Sequence, residues 1–137
     1  MKVLFLGSGT STGVPVIGCR CPVCTSENPR NKRLRSSVLV RTDSTTLLVD
    51  SSPDLRVQAL RHDITAIDAI IYTHEHVDHV RGLGVLCRKH GIPVYANEGT
   101  WQGIFLKETN IPARCVRTFF TGEDFYIGPM NIHPFPI

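Results

Sequence analysis

Four imidazole or carboxylate side chains fall within six residues at His74-Glu75-His76-Val77-Asp78-His79, directly after the apolar run Ala69-Ile70-Ile71-Tyr72. A short apolar run bounded by polar turn residues reads as a buried strand. Any fold for this chain must therefore bring a strand end to a cluster of potential ligands. Imidazole nitrogen and carboxylate oxygen suit zinc, manganese or iron. The spacing lets the turn divide them, His74 and His76 toward one ion, Asp78 and His79 toward another. Two ions about 3.5–4 Å apart can activate a water and stabilise both the attacking and the leaving oxygen of a displacement. A solvated His-rich turn is the plain alternative, and the strand before it and the helical pattern after it argue against that. Glu75 and Val77 lie between ligands and are expected to point away, Val77 into packing and Glu75 toward solvent or an outer hydrogen bond.

The 137-residue length fits one domain spanning 1–137, large enough to bury a core. With 42% hydrophobic and 20% charged residues, the composition is that of a soluble globular protein. No apolar run approaches the roughly 20 residues a membrane span needs. The opening Met1-Lys2-Val3-Leu4-Phe5-Leu6-Gly7 is too short in its apolar part for a signal peptide, so it reads as a buried first strand and the expected location is cytoplasmic. Much of the net charge of +3 comes from Arg30, Lys32, Arg33 and Arg35. That loop could meet a phosphate, but a solvated basic loop is the favoured reading. Without interleaved aromatics, it gives nucleic-acid binding only weak support.

Gly7-Ser8-Gly9-Thr10-Ser11-Thr12-Gly13 is a small-residue turn that lacks the Lys-Ser/Thr ending of a phosphate-binding loop. Residues 37–42 and 45–50 read as a hairpin, and 54–62 as a helix with Ser51 or Ser52 as N-cap and Pro53 near its start. A strand over 67–72 leads into the His run. From Asp78 through Val80, Leu83, Val85, Leu86 and His90 the spacing is helical, closed by Gly91. A strand over 93–96, a helix over 98–107 and short strands over 115–120, 125–127 and 130–137 complete the pattern. Strands first paired, then alternating with helices, predict a layered α/β domain with a mixed sheet.

Cys19, Cys21 and Cys24 form a C-x-C-x-x-C cluster whose density suits a structural zinc, although the segment supplies no fourth ligand; redox chemistry and plain exposed thiols are the alternatives. Cys87 and Cys115 stand in apolar company and read as small core residues.

The opening strand with its Gly-Ser-Gly-Thr turn, the strand end Leu47-Leu48-Val49-Asp50, and Thr73-His74-Glu75-His76-Val77-Asp78-His79 followed by Gly82-Leu83 together resemble the metallo-β-lactamase-fold hydrolases. Gly13-Val14-Pro15 ahead of the three cysteines is similar to the phosphodiesterase subfamily associated with carbon–phosphorus lyase, which hydrolyses cyclic nucleotide or ribose phosphates. A branch in pyrroloquinoline quinone biosynthesis has a similar cysteine cluster, and ribonuclease Z shares the metal motif. The resemblance implies an α/β, αββα sandwich with mixed sheets, of which this chain looks like the amino-terminal half. It implies two divalent ions, zinc or manganese, with His74 and His76 on the first and Asp78 and His79 on the second. It also implies a structural zinc on Cys19, Cys21 and Cys24, and it makes Asp50 a hydrogen-bonding support that orients the His-rich loop. The remaining ligands and the leaving-group donor are expected beyond residue 137. His133 lies too early to match and reads as a surface residue.

These features make the expected activity metal-dependent hydrolysis of a small phosphate ester, with Asp78 orienting the attacking water and taking its proton. Carbonyl hydrolysis of a thioester or lactone, ribonuclease activity, and a catalytically silent metal-binding or assembly module are the alternatives. The expected partner is a second copy, in a homodimer that could complete the site.

Overall fold

Strands β1 (Lys2–Gly7), β2 (Ser37–Arg41), β3 (Thr46–Val49), β4 (Ala69–Ile71), β5 (Val94–Asn97) and β6 (Val116–Phe119) form one six-stranded sheet in chain order. The structure is a computed structural model that describes residues 1–108 and 110–136, with the Val85 side chain also outside the description. β1, β2 and β3 pair antiparallel, and β3 to β6 pair parallel. The hairpin between β2 and β3 is closed by the Thr42 N–H donating to the Thr45 carbonyl.

Each parallel step needs a crossover, and a helix supplies it. Helix α1 (Leu55–Arg61) joins β3 to β4, α2 (Val77–Val80) and α3 (Leu83–His90) join β4 to β5, and α4 (Glu98–Phe105) lies between β5 and β6. Right-handed crossovers that always advance in the same direction along a sheet place their helices on the same face. The main core follows: Leu39, Leu48, Ile70, Tyr72, Val94 and Ala96 pack there with Val80, Leu83, Cys87, Trp101 and Ile104. The opposite face is covered by a two-stranded hairpin, β7 (Phe125–Ile127) and β8 (Met130–Ile132), through Ile127 and Met130 on Leu47 and Ala69.

Four expectations change. β1 is an edge strand and largely uncovered, with Val3 53% and Phe5 70% exposed. A short apolar run looks the same in sequence whether or not another layer covers it. The helix expected from residue 78 to 90 is broken after Val80, because the Gly82 N–H donates to the Ser51 carbonyl instead of continuing the helical ladder. Asp54 rather than Ser51 or Ser52 directly precedes α1, and its carboxylate accepts from the Arg35 N–H and guanidinium, while the Ser52 hydroxyl accepts the Asp54 N–H at 3.2 Å as a cap would. The tail strand expected over 130–137 ends at Ile132, and Ile137 lies outside the described residues. As expected, Gly91 closes α3 in the left-handed region at φ 65°. No helix of the described residues is long and apolar enough to cross a membrane.

Candidate metal centre

The ends of β3 and β4 are parallel neighbours, so the residues that follow them emerge side by side. Asp50 follows β3 with φ 58°, a left-handed conformation that Asp adopts more readily than most residues. That turn points its carboxylate across to the end of β4. Oδ1 accepts from the Thr73 N–H at 3.0 Å, and Oδ2 accepts from the Thr73 hydroxyl and from His79 Nδ1, both at 2.8 Å.

The protons in this group can be assigned by counting donors. A carboxylate only accepts, so His79 Nδ1 carries a hydrogen, and in the neutral ring that a metal ligand must be the lone pair is on Nε2. The Thr73 hydroxyl spends its one hydrogen on Asp50. The 2.8 Å contact between Thr73 Oγ1 and His74 Nδ1 is therefore donated by the imidazole, which leaves His74 Nε2 free as well. Burial and the neighbouring His79 hold His74 below the usual histidine range, which favours the neutral form a ligand needs.

Around these nitrogens the other expected ligands gather. The Asp78 carboxylate lies 3.4 Å from His79 Nε2, and the His74 ring sits 4.6 Å from that of His76 and 4.1 Å from that of His79. His76 also starts α2, its carbonyl accepting the His79 and Val80 N–H groups. Asp50, His74 and His79 offer atoms within 4.8 Å of one another. Because both Asp50 oxygens are already engaged, Asp50 serves the group as its hydrogen-bonded support. Two free imidazole lone pairs beside a third imidazole and a carboxylate form a donor set that fits a divalent ion.

The sequence assigns no role to Thr73, Gly103 or Lys107, and it reads Ser51 only as a candidate helix cap. The Ser51 N–H donates to the His79 carbonyl at 2.7 Å, and its hydroxyl bonds the buried Tyr72 hydroxyl, fixing α2 to the end of β3. Gly103 on α4 leaves room for Glu75, and the Lys107 ammonium donates to the Glu75 carbonyl at 3.1 Å. Glu75 thus packs on α4. Val77, expected in packing, is 49% exposed. His133 is exposed and bonds Asp124. Little in sequence marks these residues, because each acts across a gap between elements.

The thiols of Cys19, Cys21 and Cys24 lie within 4.8 Å of one another, and among the described residues no fourth His, Cys, Asp or Glu joins them. Backbone N–H groups point at the sulfurs: Cys24 N–H at Cys21 Sγ, 3.5 Å, and Val16 N–H at Cys24 Sγ, 3.4 Å. The Cys24 N–H, with Cys19 beside it, brings the Cys21 thiol down to about 7. Burial and the neighbouring Cys19 and Cys21 thiols hold Cys24 above the usual thiol range, and three sulfurs gathered this closely fit a divalent ion. Cys87 and Cys115 are buried in the core, and burial pushes the Cys87 thiol up to about 12. In the basic loop, Arg35 is tied to Asp54 at 2.8 Å, while Arg30, Lys32 and Arg33 enter no ion pair among the described residues.

Comparison with known proteins identifies the family of the fold. Residues 30–131 match the metallo-beta-lactamase superfamily. An octanoyltransferase from Porphyromonas gingivalis is 47% identical over 108 residues, which are 76% of this chain and 22% of that protein. The crystal structure of a diphosphatase from the PhnP family superposes with a TM-score of 0.79 at 42% identity, covering 91% of this chain and 53% of that one. Zinc-bound PqqB from Methylobacterium extorquens also superposes at 0.79, with 27% identity over 100% of this chain and 56% of its own. The chain therefore spans about half the length of these two solved structures.

Proposed function

The chain belongs to the metallo-beta-lactamase superfamily, and from that membership we propose a metal-dependent hydrolase of the phosphodiesterase class, acting on a cyclic nucleotide or ribose phosphate. The carrying observation is the proton arrangement around Asp50, which leaves Nε2 of both His74 and His79 as free donors beside Asp78. In this reading His74 and His76 hold one divalent ion, and Asp78 and His79 hold a second. Bound there, the ions would supply a water of lowered pKa and would offset charge on the phosphoryl oxygens.

The chain's own residues do the remaining work described here. Asp50 fixes the tautomer and ring plane of His79 directly, and those of His74 through the Thr73 hydroxyl. Asp78 Oδ2 orients the attacking water and receives its proton. Cys19, Cys21 and Cys24 hold a structural zinc that stiffens the loop between β1 and β2. Zinc is favoured at both places by the thiolate and imidazole donors, and the relative named as zinc-bound supports it. The relative named as a diphosphatase favours phosphorus over a carbonyl carbon as the atom attacked.

Turnover of bis(p-nitrophenyl) phosphate and of an acyl thioester by the full-length protein, with zinc or manganese restored after chelation, tests this. Phosphodiester cleavage that needs the metal and falls to background in Asp78→Asn supports the reading. Preferred thioester cleavage, or activity indifferent to chelator, overturns it.

A further inference from the structure

Away from the metal loop, a cavity of about 650 Å³ opens between α1, α3 and the segment that links α1 to β4. Its size lies within the roughly 300–1,000 Å³ of small-molecule sites. Leu55, Ala59, Ile64, Ile67 and Leu86 line it with hydrocarbon. Besides the hydroxyls of Ser52 and Thr65, its polar wall carries Arg56, Arg81 and His90, and among the described residues no carboxylate lines it. All three side chains are exposed, and among the described residues none takes part in an ion pair. The net charge of the whole chain is only +3, so two guanidinium groups around one cavity are a local concentration of positive charge.

An apolar wall favours the body of a ligand, and unpaired guanidinium groups favour a carboxylate or phosphate head through charge-assisted hydrogen bonds. We propose that this cavity is a binding site for a small anionic amphiphile, a molecule with one medium-length hydrocarbon chain and one anionic head. The hydrocarbon lies against Leu55, Ile64 and Leu86, and the head meets Arg56 and Arg81. No metal ligand lines the cavity, so the site is independent of the proposed hydrolase reading.

Calorimetric titration of the chelator-treated full-length protein with sodium decanoate, decanol, acetate and decyl phosphate tests it. Saturable binding of decanoate or decyl phosphate, with decanol and acetate much weaker, is expected. Which of the two anions binds tighter identifies carboxylate or phosphate as the head. Arg56→Gln and Arg81→Gln should each weaken binding about tenfold, the loss of one charge-assisted hydrogen bond. Ala59→Trp should abolish it by filling the cavity. Because Ala59→Trp could disturb packing, circular dichroism and the two surface arginine variants carry the result if it unfolds. Decanol binding as well as decanoate, or anion binding unchanged in both arginine variants, would overturn the proposal.

Discussion

Asp50 carries the arrangement at the metal site through three accepted hydrogen bonds. Asp50→Asn keeps the shape and tolerates the left-handed backbone, but its amide nitrogen cannot accept. One of the three donors is then left facing another donor. Metal affinity, measured by competition with a chelator dye, should fall about 10–100-fold while the fold is retained; unchanged affinity would remove Asp50 from the site. Cys21 gives a second expectation at this scale. A thiol lowered to about 7 is protonated and slow below that pH and thiolate above it, so in metal-free protein its alkylation rate should rise with a midpoint near 7. Zinc should suppress the alkylation, and a midpoint near that of an ordinary thiol would show that the Cys24 N–H does not stabilise the thiolate. His74, His76, Asp78 and His79 were legible as ligand types in the sequence because they are neighbours. Thr73 was not, since its role depends on the end of β3 arriving beside the end of β4. Asp50 entered by resemblance alone, because an Asp after a strand is an ordinary turn residue.

Between elements, the break separating α2 from α3 shows where sequence periodicity reaches its limit. Val80, Leu83, Leu86 and His90 have helical spacing whether or not the helix is continuous. What interrupts it is long-range: Ser51 accepts the Gly82 N–H, and a Cβ on Gly82 would lie 2.9 Å from the Ser51 side chain. Gly82→Ala should therefore cost about 1–3 kcal/mol by forcing atoms into packed space. Because Ser51 also holds the His79 carbonyl, metal affinity should fall with it. Urea unfolding and metal titration of the same variant check both halves. Loss of stability without loss of affinity would mean that the Ser51 link does not position His79. The hairpin, α4 and the Gly91 stop were more legible, because their signals are local: an apolar pair of runs, an apolar helical pattern, and a glycine that takes a positive φ.

At the scale of the whole molecule, the two faces of the sheet are unequal. One is closed by four helices, whereas among the described residues the other carries β7 and β8 beside an open groove that Met1, Val3, Val49 and Phe119 help to line. Phe5 shares the parity of Val3 on the edge strand and is more exposed still. Apolar side chains on an unpaired edge favour association between chains. They add little to folding of the single chain, because the area they remove from water within it is small. Replacing Val3 and Phe5 together by Thr puts a residue of good strand propensity at both exposed positions, so the unfolding free energy of the 137-residue chain should stay within about 0.5 kcal/mol per site. Sedimentation velocity should at the same time show a larger monomer fraction. If the double substitution instead cost several kcal/mol, β1 would be packed in solution against something the single chain does not provide. Unchanged sedimentation would mean that this face plays no part in self-association.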